Sequence, residues 1–432
     1  MFISGWGRYP ITESLLYYPK TRFECLNLIN KNTLIPRGNG RSYGDSANAN
    51  IALQSNYLSK FIKFDSFLGL ISCEAGVTLN EILEVIVPKG WFIPVSTGTA
   101  FVTIGGAIAS DVHGKNHHNS GTFSQHITSL ELMIGSGDIL TISSTQHQDL
   151  FYATCGGMGL TGVILTATIQ LKPIKSNLIE QITIKTNTLE EVCYKFDQHK
   201  KASYSVAWVD CLSKGNRLGR SLLFLGEHHN QGQLSLNKKK KSNILSFLPS
   251  FLLNKYTVRV FNELYFKKTT FSKDRRILSF EKYFYPLDKI SNWNLMYGKK
   301  GFIQYQFVLP KTVGVQGLKK IIKVVSDNNM NPFLAVLKIF GEKNKNYLSF
   351  PMSGYSLALD FKMSQNIFNF VKILDSFISD MGGKIYLTKD ALMTEETFKK
   401  TYPQWQEFEY IRQKYGAIGK FASNQSKRLG LA

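Results

Sequence analysis

Cysteine is scarce in this 432-residue chain. The five present, Cys25, Cys73, Cys155, Cys193 and Cys211, are scattered and form no CxxC pair. That spacing argues against a disulfide framework and a zinc site, and it fits a reducing cytoplasm. No apolar run approaches the roughly 20 residues of a membrane-spanning helix. The amino terminus, MFISGWGRYP, lacks the basic start, apolar middle and small-residue cleavage site of a secretory signal. Acidic side chains are few, 31 against 52 basic ones, giving a formal net charge of +21. Such an excess favours anionic partners. Zinc-finger spacing, a basic region with heptads and an RRM signature are all missing, so nucleic acid is not an expected partner. An acidic membrane surface or an anionic ligand is. The length exceeds what one core usually fills, which suggests two domains, or one interrupted by another.

Glycine is plentiful and concentrated in two loops. Residues 97–122 read TGTAFVTIGGAIASDVHGKNHHNSGT. An apolar stretch, Phe101 to Ala109, is broken by Gly105 and Gly106 and runs into Asp111, His113, Lys115, Asn116, His117 and His118. Paired glycines let backbone approach a flat or phosphorylated ligand closely, because no Cβ intervenes. One reading is a buried element opening into a site; the other is a buried strand followed by a solvated histidine-rich loop. Earlier, a short strand at Thr33 to Ile35 leads into PRGNGRSYGDSA, residues 36–47. Gly38, Gly40 and Gly44, with Arg37, Arg41 and Ser42 between them, predict an anion-binding loop whose successive N–H groups converge on phosphate oxygens. This is neither a Rossmann fingerprint nor a P-loop, since its third glycine is one place late and no Gly-Lys-Ser/Thr closes it.

Periodicity predicts a helix ending over 24–30, strands at Phe61 to Phe64 and Leu70 to Glu74, and a helix from Leu79 to Ile86. Strands at Ile127 to Ile134 and Ile139 to Ile142 follow, then CGGMGLTGVILTATIQLK, glycines leading into another strand. Beyond about residue 174 strands alternate with longer helices. Strands are predicted at Tyr204 to Cys211, Ser221 to Leu225, Gly301 to Pro310 and Ser356 to Phe361. Helices are predicted around Leu318 to Val325 and Ile367 to Ile378, the second with Ser364 as N-cap and Gly382-Gly383 as stop. In GFIQYQFVLP the alternation sets Gln304 and Gln306 on one face. Lys338 interrupts an apolar run, Phe333 to Phe340, and must escape at a sheet edge or be paired. Lys384 to Leu387 forms a short strand into Lys389 and Asp390, by default a solvated pair, and the tail from Thr394 is helical. Residues 229–255 carry a lysine run and ILSFLPSFLL. They read as a mobile surface loop or as a segment that touches an acidic bilayer without crossing it.

Taken in order, PRGNGRSYGDSA, STGTAFVTIGGAIASDVHGKNHHNSGTF, GGMGLTGVILTATI, GFIQYQFVLP and YLTKD…FASNQSKRLGL closely resemble the decaprenylphosphoryl-ribose 2′-oxidase family. These are flavin subunits of polyprenyl-phosphate pentose 2′-epimerases, in the vanillyl-alcohol-oxidase superfamily. The resemblance implies an α+β protein with a PCMH-type FAD-binding domain, residues 1–173, and an inserted α+β substrate domain, residues 174–384, an antiparallel sheet with helices. Residues 385–432 would return to the FAD domain. The pyrophosphate would lie on Arg37, Gly38, Asn39, Gly40, Arg41, Ser42, Tyr43, Gly44, Asp45, Ser46 and Ala47. Gly98, Thr99, Thr103, Gly105, Gly106, Ser110, His113, Ile164 and Tyr386 would surround the rest of the cofactor. Ser42 and Tyr43 stand where many superfamily members attach FAD through a histidine, so non-covalent FAD is expected.

The implied reaction oxidises the 2′-hydroxyl of a polyprenyl-phosphoryl pentose by hydride transfer to the flavin, the first half of an epimerisation that a separate NAD(P)H-dependent keto-reductase completes. Lys389 matches the family's essential lysine, as base or as electrostatic stabiliser. His113 and Tyr43 would join it, with Lys115, Gln304, Gln306 and Lys338 on the substrate side. Ala358 stands where relatives carry a cysteine beside the flavin, so thiol-directed inhibitors should fail. The expected location is cytoplasmic, peripheral at the inner face of the plasma membrane. The competing readings are a soluble FAD-dependent sugar-alcohol or aldonolactone oxidase, and a basic adaptor that has lost catalysis.

Overall fold

In the computed structural model, residues 1–236, 242–243, 254–269 and 273–431 are described. Three sheets of three or more strands carry the architecture. A three-stranded parallel sheet aligns Leu15–Tyr17, Ile51–Gln54 and Ile35–Arg37. A five-stranded antiparallel sheet runs, edge to edge, Ile139–Ile142, Ile127–Met133, Val163–Gln170, Leu70–Glu74 and Phe61–Asp65. The third sheet is antiparallel with eight strands. Its order is Lys273–Ser279, Leu178–Thr186, Ser221–His228, Tyr204–Val209, Ala335–Phe340, Gly354–Lys362, Phe302–Pro310 and Lys384–Ile385.

Strand alternation decides what that large sheet offers on each face. Odd-numbered residues of its central strands meet the helices Leu189–Gln198, Gly314–Asp327 and Ile367–Asp380. Phe361 packs edge-on against Phe370 with ring centroids 5.4 Å apart, and the Tyr305 hydroxyl donates to Asp375 at 2.7 Å. Even-numbered residues point the other way. Register places Gln304 opposite Asp360, Gln306 opposite Ala358, and Lys338 opposite Ser356. This face is covered by the histidine loop of the amino-terminal half, where the Gly341 N–H donates to His117 Nδ1 at 3.1 Å.

Several local expectations shift. The apolar run after Phe101 is not a strand: Ile104–Ala109 is a short helix capped by Thr103, whose Oγ1 accepts from the Gly106 N–H. Nor is the loop beyond it solvated, since His113, Asn116 and His117 are buried. Ile35–Arg37, rather than Thr33 to Ile35, forms the strand, because Leu34 bridges to Phe421 of the returning tail. Asn366, not Ser364, is the N-cap of Ile367–Asp380, and the tail strand stops at Ile385. Of the segment 229–255, residues 237–241 and 244–253, with ILSFLPSFLL, lie outside the described residues, so both readings of it fall there.

The tail closes the molecule. Arg412 is fully buried and donates to the carbonyls of Leu160, Phe421 and Leu431. Arg428 bridges Asp45 at 2.7 Å and Asp390 at 3.0 Å, tying the last helix to the first glycine loop. Lys389 and Asp390 are therefore not a solvated pair. The carboxylate belongs to Arg428 and Gln425, and the lysine lies over the Tyr43 ring.

Candidate active site

The first glycine loop is compressed from two sides. A Cβ on Gly44 would stand 1.7 Å from the Asp390 carbonyl oxygen, and one on Gly38 2.2 Å from Thr103 Oγ1. The loop thus touches both the tail and the start of the Ile104–Ala109 helix, and only glycine permits this. Gly40 sits at φ +60. Arg37 is spent inside the protein, donating to Ala47 O, Asn48 Oδ1 and Ser4 O. Arg41 stacks over Trp6, 4.3 Å from its ring centre, with Phe101 at 5.6 Å. Asn39 donates to the Phe101 carbonyl, and Asp45 holds Arg428. The Ser42 carbonyl accepts from the Trp6 N–H, while Ser46 is buried beside it. In the second loop Thr99 lies close to Thr97, whose hydroxyl donates to its carbonyl. Gly105 packs on Ala75, whereas Gly98 has open space where a Cβ would be. Ile164 is buried in the five-stranded sheet.

Asp111 fixes the histidine loop. At φ +38 its backbone is strained. Its buried carboxylate accepts from Asn344 at 2.6 Å, Asn346 at 2.8 Å, Ser349 at 2.6 Å and the Ser124 N–H at 3.2 Å. Those bonds hold His113 between Phe340, Phe350 and Tyr386, with ring centroids 4.8, 5.5 and 5.0 Å away. The Gln306 amide donates to His113 Nε2 at 3.0 Å and to Ser356 Oγ at 3.2 Å. The proton of the neutral imidazole then sits on Nδ1, which is buried with no partner among the described residues. Burial, reinforced by the charges of Lys338, His117 and Lys389, keeps the ring neutral. Tyr386 donates to the Ser110 carbonyl at 3.2 Å and stacks on Phe350 at 4.6 Å.

Lys389 stands near enough to act on His113. The Tyr43 N–H donates to the Thr388 carbonyl at 2.9 Å, joining loop to tail. That bond sets the Lys389 ammonium 3.5 Å from the centre of the Tyr43 ring. Desolvation lowers its pKa to about 7, opposed by Asp360 and assisted by Lys338. The Asp360 carboxylate accepts from Tyr297 at 3.0 Å and Gln304 at 2.6 Å, and burial raises its pKa to about 6. Lys338 does not reach a sheet edge, since its strand is interior, and among the described residues it has no acidic partner; burial brings its pKa to about 8. Lys115 donates to the Tyr283 carbonyl and lies 4.2 Å above that ring, with its pKa lowered to about 7 by burial and by Lys338. All three lysines are half-buried, and Lys338 lies close enough to act on both of the others. The charge of Lys338 disfavours protonation of Lys115, His113, His117 and Lys389 alike.

The structure therefore gathers Tyr43, His113, Lys115, Gln304, Gln306, Lys338 and Lys389, named from sequence, into one place. Arg37 and Ser46 stay within the protein. Tyr297 and Phe350 went unnamed, and Asp360 and the Asp111 anchor were given no role in the site. Alternation alone could have found Asp360, because it shares a face with Ser356 and Ala358. The others come from loops with no periodic signal.

Open backbone at Gly98, buried polar atoms on Arg41 Nε and His113 Nδ1 without a partner among the described residues, and the half-buried lysines Lys115, Lys338 and Lys389 suit a flat, anionic dinucleotide. Residues 24–143 match the FAD binding domain family. Fold and site thus define an FAD-dependent oxidoreductase with a PCMH-type cofactor domain. The chain is 35% identical to decaprenylphosphoryl-β-D-ribose oxidase of Mycolicibacterium smegmatis over 99% of its length and 97% of the relative's. It is 28% identical to an uncharacterized Streptomyces coelicolor protein over 82% of the chain and 100% of that protein. Likeness to L-gulonolactone oxidase of Scyliorhinus torazame, 29%, covers 46% of each chain. This chain belongs to the decaprenylphosphoryl-β-D-ribose oxidase family.

Proposed function

We propose that the protein oxidises the 2′-hydroxyl of a polyprenyl-phosphoryl pentose to the 2′-keto sugar, the first half of a 2′-epimerisation. The observation that carries this reading is the cluster of three half-buried lysines near Tyr43, His113 and Gln306, a concentration of positive charge that suits a sugar bearing phosphate. Bound FAD supplies the two-electron acceptor for the hydride from the sugar carbon. It would be held non-covalently by the loop at 38–47, by the backbone around Gly98 to Gly106, and by His113 and Tyr386.

The chain's own residues do the rest. Lys389, with its pKa near neutrality, offers a free amine that accepts the hydroxyl proton. Tyr43, whose ring centre lies 3.5 Å from the nitrogen, positions the Lys389 side chain by packing beneath it. Lys338 and Lys115 hold the phosphate charge. Gln306, fixed by His113 and Ser356, and Gln304, fixed by Asp360, present amide groups to the sugar hydroxyls. The ring wall of Phe340, Phe350 and Tyr386 excludes water.

A separate NAD(P)H-dependent reductase would complete the epimerisation, placing the pair in polysaccharide or cell-wall synthesis. Among the described residues no helix is long and apolar enough to cross a membrane. Peripheral attachment to an acidic membrane is supported by the helix Lys255–Lys267, where Tyr256, Val260 and Leu264 are 77%, 59% and 65% exposed on one face beside Arg259 and Lys267. The lactone-oxidase alternative draws on a likeness to about half the chain. Anaerobic mixing of the yellow holoenzyme with farnesylphosphoryl ribose tests the reading. Rapid bleaching is expected, and bleaching by aldonolactones alone would sink it.

A further inference from the structure

Two walls of the site come from distant parts of the chain, and one carboxylate grips both. Asp111 stands just ahead of His113 on the histidine loop. Its side chain reaches the connection between the strands Ala335–Phe340 and Gly354–Lys362, where Oδ2 accepts from Asn344 at 2.6 Å, Asn346 at 2.8 Å and Ser349 at 2.6 Å. Oδ1 accepts from the Ser124 N–H at 3.2 Å. The two asparagine amides also turn back to the histidine loop, Asn344 donating to Thr122 Oγ1 and Asn346 to Ser124 Oγ, each at 2.8 Å. Thr122 in turn bridges to His113. The connection is thereby stapled to both arms of the histidine loop. Phe350, which follows Ser349, is one of the rings that enclose His113.

We propose that Asp111 is a positioning residue for the reaction: its carboxylate sets the gap between His113 and Phe350, and through His113 the direction of the Gln306 amide. The inference rests on the proposed function for the substrate it helps to orient. Asp111 acts only through the groups it holds. Both of its oxygens accept and all four partners supply hydrogens, an arrangement that a carboxylate satisfies and an amide does not. Lys389 is held by other bonds, the Tyr43 N–H on the Thr388 carbonyl and the Arg428 bridge to Asp390, so loosening Asp111 leaves it in place. Lys338 likewise sits on an interior strand of the large sheet. A substrate held by these lysines but askew against Gln306 loses rate rather than affinity.

Whichever way the amide of Asp111→Asn turns, its nitrogen meets a donor, the Ser124 N–H on one side or Asn344 and Asn346 on the other. Anaerobic reduction by farnesylphosphoryl ribose, normalised to bound flavin, should then slow about 100-fold in kcat with KM changed by less than about threefold. Visible circular dichroism of the oxidised holoenzyme, which needs no substrate, should change as the rings around His113 shift. Asn344→Ala removes one donor from a half-buried position and is the milder variant; it should lower kcat about fivefold and alter the dichroism in the same direction. It decides the matter if Asp111→Asn fails to fold. The positioning role is overturned if the folded variants show only a lower Tm, with parental kcat and dichroism, or if KM rises as much as kcat falls. Failure of the proposed function shows separately: the parent's own flavin would stay yellow with farnesylphosphoryl ribose, while the dichroism still judges Asp111.

Discussion

Replacing Lys389 by methionine keeps most of the aliphatic stem and deletes the ammonium. The structure makes opposite demands on activity and stability. A fall in lysine pKa from 10.5 to about 7 means that the folded protein holds the charged form poorly. Taken at face value it corresponds to about 5 kcal/mol, which the residual solvent contact of the side chain reduces to roughly 2–3 kcal/mol. Against this, the cation–π contact with Tyr43 contributes about 1 kcal/mol. Lys389→Met should therefore be more stable by about 1–2 kcal/mol, a rise of roughly 1–3 °C in Tm. The sign follows from proton uptake. Below about pH 7 both folded and unfolded lysine are charged and the penalty is complete; it fades as pH rises toward 10.5, where the unfolded lysine also becomes neutral. The gain should shrink accordingly between pH 7 and 10. Flavin reduction by substrate, in contrast, should slow by about 10²–10⁴-fold, with the yellow spectrum retained. In the parent enzyme kcat/KM should climb as pH passes about 7, because the free amine is the active form. Stopped-flow anaerobic reduction and melting curves across pH measure both. Parental reduction rates in the variant, or a Tm lower than the parent's at pH 7, would refute the reasoning.

Three further outcomes are expected. Gly44→Ala drives a methyl group into the Asp390 carbonyl, 1.7 Å away, so it should part the loop from the tail, lower Tm by several degrees and deplete flavin, measured as the ratio of visible to ultraviolet absorbance. Ala358→Cys places a thiol on the cleft face, and thiol titration of the native variant should find one rapidly reacting group where the parent, with all five cysteines buried, shows none. Asp375→Asn keeps an oxygen for Tyr305 and removes a carboxyl whose pKa burial raises to about 7. Folded Asp375 resists ionisation, so the variant's advantage should be absent below about pH 4 and grow to a few kcal/mol by pH 8, read from denaturant midpoints; equal midpoints at pH 8 would refute it.

The sequence by itself determined the parts with a period or a steric demand. Alternation in GFIQYQFVLP placed Gln304 and Gln306 on one face, the apolar spacing of Leu79–Ile86 defined that helix, and the glycines of 38–44 marked a loop that must be approached closely. Order of motifs also disclosed the family. Tertiary structure alone decided the charges. Whether Lys338 is paired, whether Lys389 belongs to Asp390 or to Tyr43, and whether His113 is solvated all depend on which surfaces meet across hundreds of residues. Arg428 shows why: it takes Asp390 from its neighbour and leaves the lysine to the cleft. Local sequence specifies backbone through short-range sterics, but a side chain's protonation follows the dielectric and the charges around it, and only the closed fold supplies those.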